Sequence, residues 1–141
     1  MGNTIVIRDG LKTYDIVNQD GKILGQFSFN PSDANILDRH AEVIDALEKI
    51  EAEISNEKEK SLEESYRDAN KLVCEKLDYL LGANVSEKFF SIMGPFSPLD
   101  NGQLFIENVI DAIGMAISAE TGSRFKKINT KIQKHTSKYH R

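Results

Sequence analysis

Apolar side chains, with one histidine among them, recur at every third or fourth position over two stretches of the chain. The first series consists of Ile36, His40, Val43, Leu47, Ile50 and Ile54. The second consists of Leu62, Tyr66, Ala69, Val73, Leu77 and Leu80. This spacing gathers each series on one side of an α-helix, and such a stripe must be buried against another element. The sequence therefore predicts a fold built mainly from packed helices.

A polar segment, SNEKEKS, separates the two series. Ser61 and Glu64 fit a capping box, in which the serine accepts from a helical amide and the glutamate reaches back. Gly82 ends the second series with the residue type that tolerates a left-handed cap. These signals predict a helical hairpin. The alternative is one unbroken helix over residues 33–81, since two four-residue steps keep the stripe nearly in line; the hairpin buries more apolar surface.

Strand signals come before these helices. TIVIRDG, LKTYDIVN and KILGQFSF have the composition of short strands, and residues 18–21 between the last two end in Asp-Gly, which favours a hairpin turn. Pro31 stops the last strand because it has no backbone donor. Ser32 or Asp33 can then accept from the free amides of a following helix. We predict a β-hairpin that passes to the first helix at a capped corner.

Two further helices are predicted after Gly82. Ser86 is a candidate cap for a short helix containing Phe89, Phe90, Ile92 and Met93, which ends at two prolines. From Gln103 the chain is most apolar, with Phe105, Val109, Ile113 and Ile117 on one side and Leu104, Ile106, Ile110, Ala112 and Ala116 beside them. The expected fold is mainly α (α+β): an N-terminal β-hairpin (1–30) and a helical bundle (33–122) with a long apolar C-terminal helix at its centre. We expect residues 1–122 to form a single domain, followed by a basic extension over residues 123–141.

Charge is divided unevenly along the chain. Residues 1–122 carry 11 basic and 22 acidic side chains, whereas residues 123–141 carry seven basic and no acidic ones. Lysines and arginines gain affinity for nucleic acid by releasing phosphate counterions, but the acidic body would repel a polyanion. We interpret the extension as an interaction tail that is separable from the folded body, in which nucleic acid is the less favoured partner.

Catalytic and cofactor motifs are absent from the sequence. It has three scattered histidines and one cysteine, Cys74, and lacks HExxH, GxGxxG, GxxxxGK[ST] and GxSxG patterns. His40 lies on an apolar stripe and is predicted to be a half-buried, hydrogen-bonded packing residue. No apolar run approaches the ~18 residues of a membrane span. The sequence thus predicts a soluble intracellular protein that is not an enzyme and uses no metal or cofactor.

Two groups of residues are candidates for binding a partner. Phe89, Phe90, Ile92, Met93 and Phe96 supply more apolar and aromatic surface than a short helix and its loop need, and such side chains suit adaptable partner surfaces. The alternative is that they fill the core beside the last helix. The second group is the basic extension, with Lys126, Lys127, Lys131 and Lys134.

The order of these elements is similar to that of a known family. A hairpin ends in QFSFNPSDANILDR, a charged helical middle leads to LDYLLGANVSEKFF, and a proline loop, an apolar helix and a basic end follow. This order resembles the tail assembly chaperones of long-tailed bacteriophages and related prophage elements. The likeness covers residues 11–141 and is most specific at residues 29–33, 80–82 and 86–90.

The resemblance implies a protein of the host cytoplasm that binds the tape measure protein and keeps it soluble until tail tube subunits polymerise around it. Such a protein would be absent from the mature virion. A longer, frameshifted form would recruit tail tube protein through an added domain. Helix-in-groove binding with weak repeated sites implies self-association or multiple copies per client. The alternatives are a structural or connector protein of a phage tail, and a small nucleic-acid-binding protein that uses its basic tail.

Overall fold

A computed structural model describes residues 2–56 and 61–121. Two strands are followed by four helices, namely β1 (Lys12–Val17), β2 (Ile23–Phe29), α1 (Ile36–Asn56), α2 (Leu62–Leu81), α3 (Val85–Phe90) and α4 (Phe105–Thr121). The predicted order of an N-terminal hairpin and then helices is confirmed. The basic extension, with the candidate residues Lys126, Lys127, Lys131 and Lys134, lies outside the described residues. None of the described helices has the length and apolarity needed to cross a membrane.

The β-hairpin forms as its sequence predicts. β1 and β2 are antiparallel, with Tyr14 opposite Phe27 and Ile16 opposite Gly25. The turn is closed by the Gly21 amide, which donates to the Asn18 carbonyl oxygen at 3.0 Å, and Gly21 has the positive φ of 83° that the turn requires. The aromatic rings of Phe27 and Phe29 are both buried, and they pack the inner face of the hairpin against the helices.

The prediction of a strand at TIVIRDG is wrong. Residues 2–11 form no regular secondary structure, and the sheet of the described residues has two strands. Asn30 Nδ2 donates to the Asp9 carbonyl oxygen at 3.1 Å, and the Leu11 amide donates to Asp9 Oδ1 at 3.1 Å. The chain turns at Gly10 with a φ of 71° beside the Asn30 side chain. These local bonds hold the turn, whereas β-branched composition alone supplies no pairing partner.

The helical hairpin of α1 and α2 is confirmed, and the single unbroken helix is not observed. Ser61 has an extended backbone (φ −65°, ψ 156°), and its hydroxyl accepts from the Glu64 amide at 3.1 Å. The Tyr79 hydroxyl donates to Glu42 Oε2 at 2.7 Å and links the two helices at their surface. Two details differ from prediction. Tyr66 is exposed, and Gly82 adopts φ 121° and ψ 160°, which is glycine's region but not the left-handed helical one.

Ser86 does not cap the short helix. α3 begins one residue earlier, at Val85, after Asn84 in the left-handed conformation. The side chain that caps this helix comes from α2: Asp78 Oδ1 accepts from the Ser86 amide at 2.8 Å. Ile92 and Met93 lie beyond the end of α3, in the loop that leads to α4. A cap supplied from another helix leaves no local signal, which explains the error.

The core lies between α1, α2, α4 and the inner face of the hairpin. Both predicted stripes contribute to it, and α4 adds six buried apolar side chains: Phe105, Ile106, Val109, Ile110, Ile113 and Ile117. Ala112, by contrast, is exposed. His40 is fully buried, deeper than predicted, and its Nε2 lies 3.0 Å from the Ile110 carbonyl oxygen of α4. This bond joins α1 to α4 inside the core.

Candidate partner-binding groove

A groove of about 620 Å³ opens between the tip of the hairpin, the loop after α3 and one side of α4. We call it the tip groove. It is lined by Ile16, Val17, Asn18, Gln19, Leu24, Phe89, Ile92, Met93, Pro98, Leu99, Asp100, Asn101, Phe105, Asn108, Val109 and Ala112. Ten of these are large apolar residues or proline, so the walls suit an apolar surface more than a polar small molecule.

The hairpin wall depends on an irregularity in strand pairing. The register shifts between Ile16 and Val17, so that Val17 pairs with Ile23 and Leu24 has no opposite residue. A bulge of this kind bends the strand and redirects side chains. Val17 and Leu24 both line the groove while remaining exposed to solvent. The tip of the hairpin therefore presents apolar side chains that its own core does not cover.

The floor of the groove is continuous with the core. Phe89 is buried, and its ring meets the Phe27 ring edge-on at a centroid distance of 5.0 Å. Ile92 is half-buried against the core, whereas Met93 is 37% exposed at the rim. The groove thus grades from a rigid aromatic floor to a flexible thioether side chain at its mouth.

The far wall is a loop fastened to the start of α4. Ser97 and Pro95 provide carbonyl oxygens that accept from the Phe105 and Ile106 amides, each at 2.8 Å. The Leu99 amide donates to the Gln103 carbonyl oxygen at 2.8 Å. The bonds to Ser97 and Pro95 satisfy amides at the first turn of α4 that have no partner within the helix. The proline loop is therefore held in place as a wall.

Sequence reasoning missed the residue that organises this loop, Gln103. Its buried side chain donates through Nε2 to Asp111 Oδ2 at 2.7 Å and accepts through Oε1 from Asn101 Nδ2 at 2.9 Å. Asn108 Nδ2 donates to the same oxygen at 3.3 Å. The sequence signal for this network is weak: the polar residues Gln103, Asn108 and Asp111 interrupt an otherwise apolar stretch around the start of α4. The network ties the loop rim, at Asn101, to α4.

The five predicted partner-binding residues are not all in one place. Phe89, Ile92 and Met93 line the tip groove. Phe90 instead packs its ring edge-on against Phe105 at 6.2 Å, and Phe96 packs against Tyr66 of α2 at 5.7 Å. Phe90 and Phe96 pack beside the core, as the core-filling alternative expects, while partner binding by the five residues stays a prediction.

The tip groove is almost without charge. Asp100 is the one charged residue among the described residues that line it, and the remaining polar groups are the side chains of Asn18, Gln19, Asn101 and Asn108. These amides lie at the hairpin turn, on the loop before α4 and on α4 itself, around an apolar interior. An apolar interior with a polar rim is the usual arrangement of a protein interaction site.

Titratable groups with altered pKa values lie away from the groove. Burial lowers the pKa of His40, which keeps the imidazole neutral. Burial, together with the charges of Glu107 and Glu48, raises the pKa of Glu51 to about 7. Burial also raises the pKa of the Cys74 thiol, so that it is protonated and a poor nucleophile near neutral pH. None of these groups lines the tip groove.

Within residues 2–56 and 61–121, no group of three or more His, Cys, Asp or Glu side chains is placed to hold a metal ion. The site that the described residues build is therefore an apolar groove with an amide rim. No protein-family model matches the sequence, and neither a curated protein nor a solved structure matches it.

Proposed function

We propose that the protein is a phage tail assembly chaperone, which binds the tape measure protein and keeps it soluble until the tail tube polymerises. The observation that carries this proposal is the tip groove, with its apolar interior, buried aromatic floor and near absence of charge. The order of sequence elements that resembles this family supports it independently. The protein acts by binding and not by catalysis, and it needs no cofactor.

The groove suits the apolar face of a client helix. An amphipathic helix places apolar side chains in such a groove at positions one turn apart. Met93 at the mouth can adjust to different client side chains, because methionine is unbranched and polarizable. A single groove of this size binds weakly, so a long client takes up several copies and gains affinity from their number.

Parts of the chain outside the groove also take part in the proposed function. A helical bundle closed by an apolar C-terminal helix supports the groove, and the basic extension contacts the client or a sister subunit through Lys126, Lys127, Lys131 and Lys134. A frameshifted longer product would continue from this extension and recruit tail tube protein. The protein works in the host cytoplasm and is left out of the mature virion.

The test is co-expression of the chain with the tape measure protein encoded near it, followed by affinity capture and an assay of client solubility. Met93→Asp places a charge in the groove, and Met115→Asp is the matched control because Met115 is 71% exposed on α4 and does not line the groove. We expect Met93→Asp to lose capture and solubilisation while Met115→Asp keeps both.

Equal behaviour of the two variants would refute the tip groove as the client site. Failure of the wild-type chain to capture a well-expressed client would refute the chaperone function. In that case, presence of the chain in purified particles would indicate a structural or connector protein. Affinity for DNA that falls steeply with salt would indicate nucleic-acid binding instead.

A further inference from the structure

The segment that fails to form a strand exposes its apolar side chains almost completely. Ile5, Val6 and Ile7 are 91%, 93% and 77% exposed. Three consecutive β-branched residues have a strong tendency to form a strand but need a neighbouring surface to cover them. We call residues 3–8, NTIVIR, the leading segment. A contiguous exposed apolar run of this kind marks an interaction site or an aggregation hazard.

The C-terminal end of the leading segment is held in place by hydrogen bonds at Asp9. The Asn30 side chain holds the Asp9 carbonyl oxygen, and Asp9 in turn accepts from the Leu11 amide. This anchor lies at the open end of the hairpin, where Lys12 pairs with Phe29. The tip groove lies at the other end, beside Val17 and Leu24. A strand of six residues separates the two, roughly 17–20 Å. In the structure the segment does not occupy this groove, because Ile5, Val6 and Ile7 are exposed and none of them lines it.

The leading segment and the tip groove match in chemistry. The segment offers a short apolar run followed by Arg8, and the groove offers an apolar interior with Asp100 at its rim. The segment carries the cation Arg8 and no anion, and the groove carries the anion Asp100 and no cation, so the two charges are complementary. An extended segment of six residues spans about 20 Å, which suits a groove that runs from the hairpin turn along one side of α4.

We propose that the leading segment of one copy of this protein occupies the tip groove of a second copy, with Ile5, Val6 and Ile7 against its apolar walls and Arg8 near Asp100. Reciprocal exchange of segments gives a dimer, and one-way donation gives a chain of copies. The proposal shares its groove with the proposed function. The client and the segment therefore compete, and a client helix releases the copies from one another.

The experiment mixes two variants that are each defective in one partner surface. Val6→Asp spoils the segment but leaves the groove intact, whereas Met93→Asp spoils the groove but leaves the segment intact. Both side chains are exposed, so both variants should keep the far-ultraviolet circular dichroism spectrum of the wild type. Analytical ultracentrifugation of full-length chains over a range of concentrations measures association.

We expect the wild type and the control Met115→Asp to associate as concentration rises, and each single variant to associate at least tenfold more weakly. Mixed in equal amounts, the two variants should form a one-to-one complex, because one supplies the segment and the other the groove. Exchange of charges gives a second readout: Arg8→Glu and Asp100→Arg should each weaken association, and the double variant should recover it.

A wild-type chain that stays monomeric at every concentration would overturn the proposal. So would a Val6→Asp variant that associates like the wild type, or a mixture of the two variants that does not associate. The outcome is independent of the client. If the mixture associates but no variant or wild-type chain captures the tape measure protein, the chaperone function fails and this inference stands. If the client is captured but the chains do not associate with one another, the chaperone function stands and this inference fails.

Discussion

Replacing Glu51 by glutamine should stabilise the protein above neutral pH and leave it unchanged in acid. The carboxyl group is half-buried on α1, and its desolvation, with the nearby charges of Glu107 and Glu48, raises its pKa from 4.5 to about 7. The folded state therefore binds this proton more tightly than the unfolded state does. As pH rises from about 4.5 to about 7, the carboxyl group loses its proton. The folded state then loses stability relative to the unfolded state.

The magnitude follows from the size of this shift. A rise in the pKa from 4.5 to about 7 corresponds to about 3.4 kcal/mol of lost stability, at 1.36 kcal/mol per pKa unit. Because Glu51 is only partly buried, solvent screening reduces this to about 1–2 kcal/mol. For a chain of this length, we expect the melting temperature of Glu51→Gln at pH 8 to be roughly 3–8 °C higher than that of the wild type.

The assay is thermal unfolding of both proteins at pH 4 and pH 8, with Glu53→Gln as the control because Glu53 is exposed on the same helix. The difference between Glu51→Gln and wild type should be near zero at pH 4, should grow as pH rises through the window from about 4.5 to about 7, and should be fully developed at pH 8. His40 acts in the opposite direction, since its lowered pKa costs stability as pH falls below 6.5, but it cancels from the difference. A constant difference at both pH values would refute the reasoning.

Three further predictions test the fold. Ser61→Ala removes the hydroxyl that accepts from the Glu64 amide and should cost about 1 kcal/mol, measured as a lower urea midpoint with an unchanged slope. Phe29→Ala empties a fully buried site beside the Tyr14 ring and should cost about 3–5 kcal/mol in the same titration, whereas Ser28→Ala on the outer face should cost far less. Deleting residues 124–141 should leave helical circular dichroism and cooperative melting intact; loss of cooperativity would show that the basic extension belongs to the folded body.

Elements with a local signal could be predicted from the sequence. The stripe from Ile36 to Ile50 is buried as its spacing requires. The Ser61 hydroxyl accepts from Glu64, three residues away, and the turn before Gly21 closes within four residues. In each case the partner lies close in the chain, so the sequence contains both halves of the interaction.

Elements with a distant partner could not be predicted. His40 finds its acceptor 70 residues away at Ile110, and Asp78 caps a helix that it does not belong to. Periodicity tells which side of a helix is apolar but not which element covers it, so it does not separate Phe89, which lines the groove, from Phe90 and Phe96, which do not. For the same reason the composition of residues 4–7 indicated a strand but could not supply its pairing partner.

The bond between His40 and the Ile110 carbonyl oxygen fixes how α1 and α4 are aligned along their length. The imidazole must carry its proton on Nε2 to donate to that oxygen, at 3.0 Å. Sliding α4 by one turn, about 5.4 Å, would strand a buried polar ring among aliphatic side chains. The first turn of α4 is also held by the carbonyl oxygens of Pro95 and Ser97. One wall of the tip groove is thus held in place at both His40 and the proline loop, and we expect any widening that admits an occupant to come from the hairpin tip and the Met93 side chain.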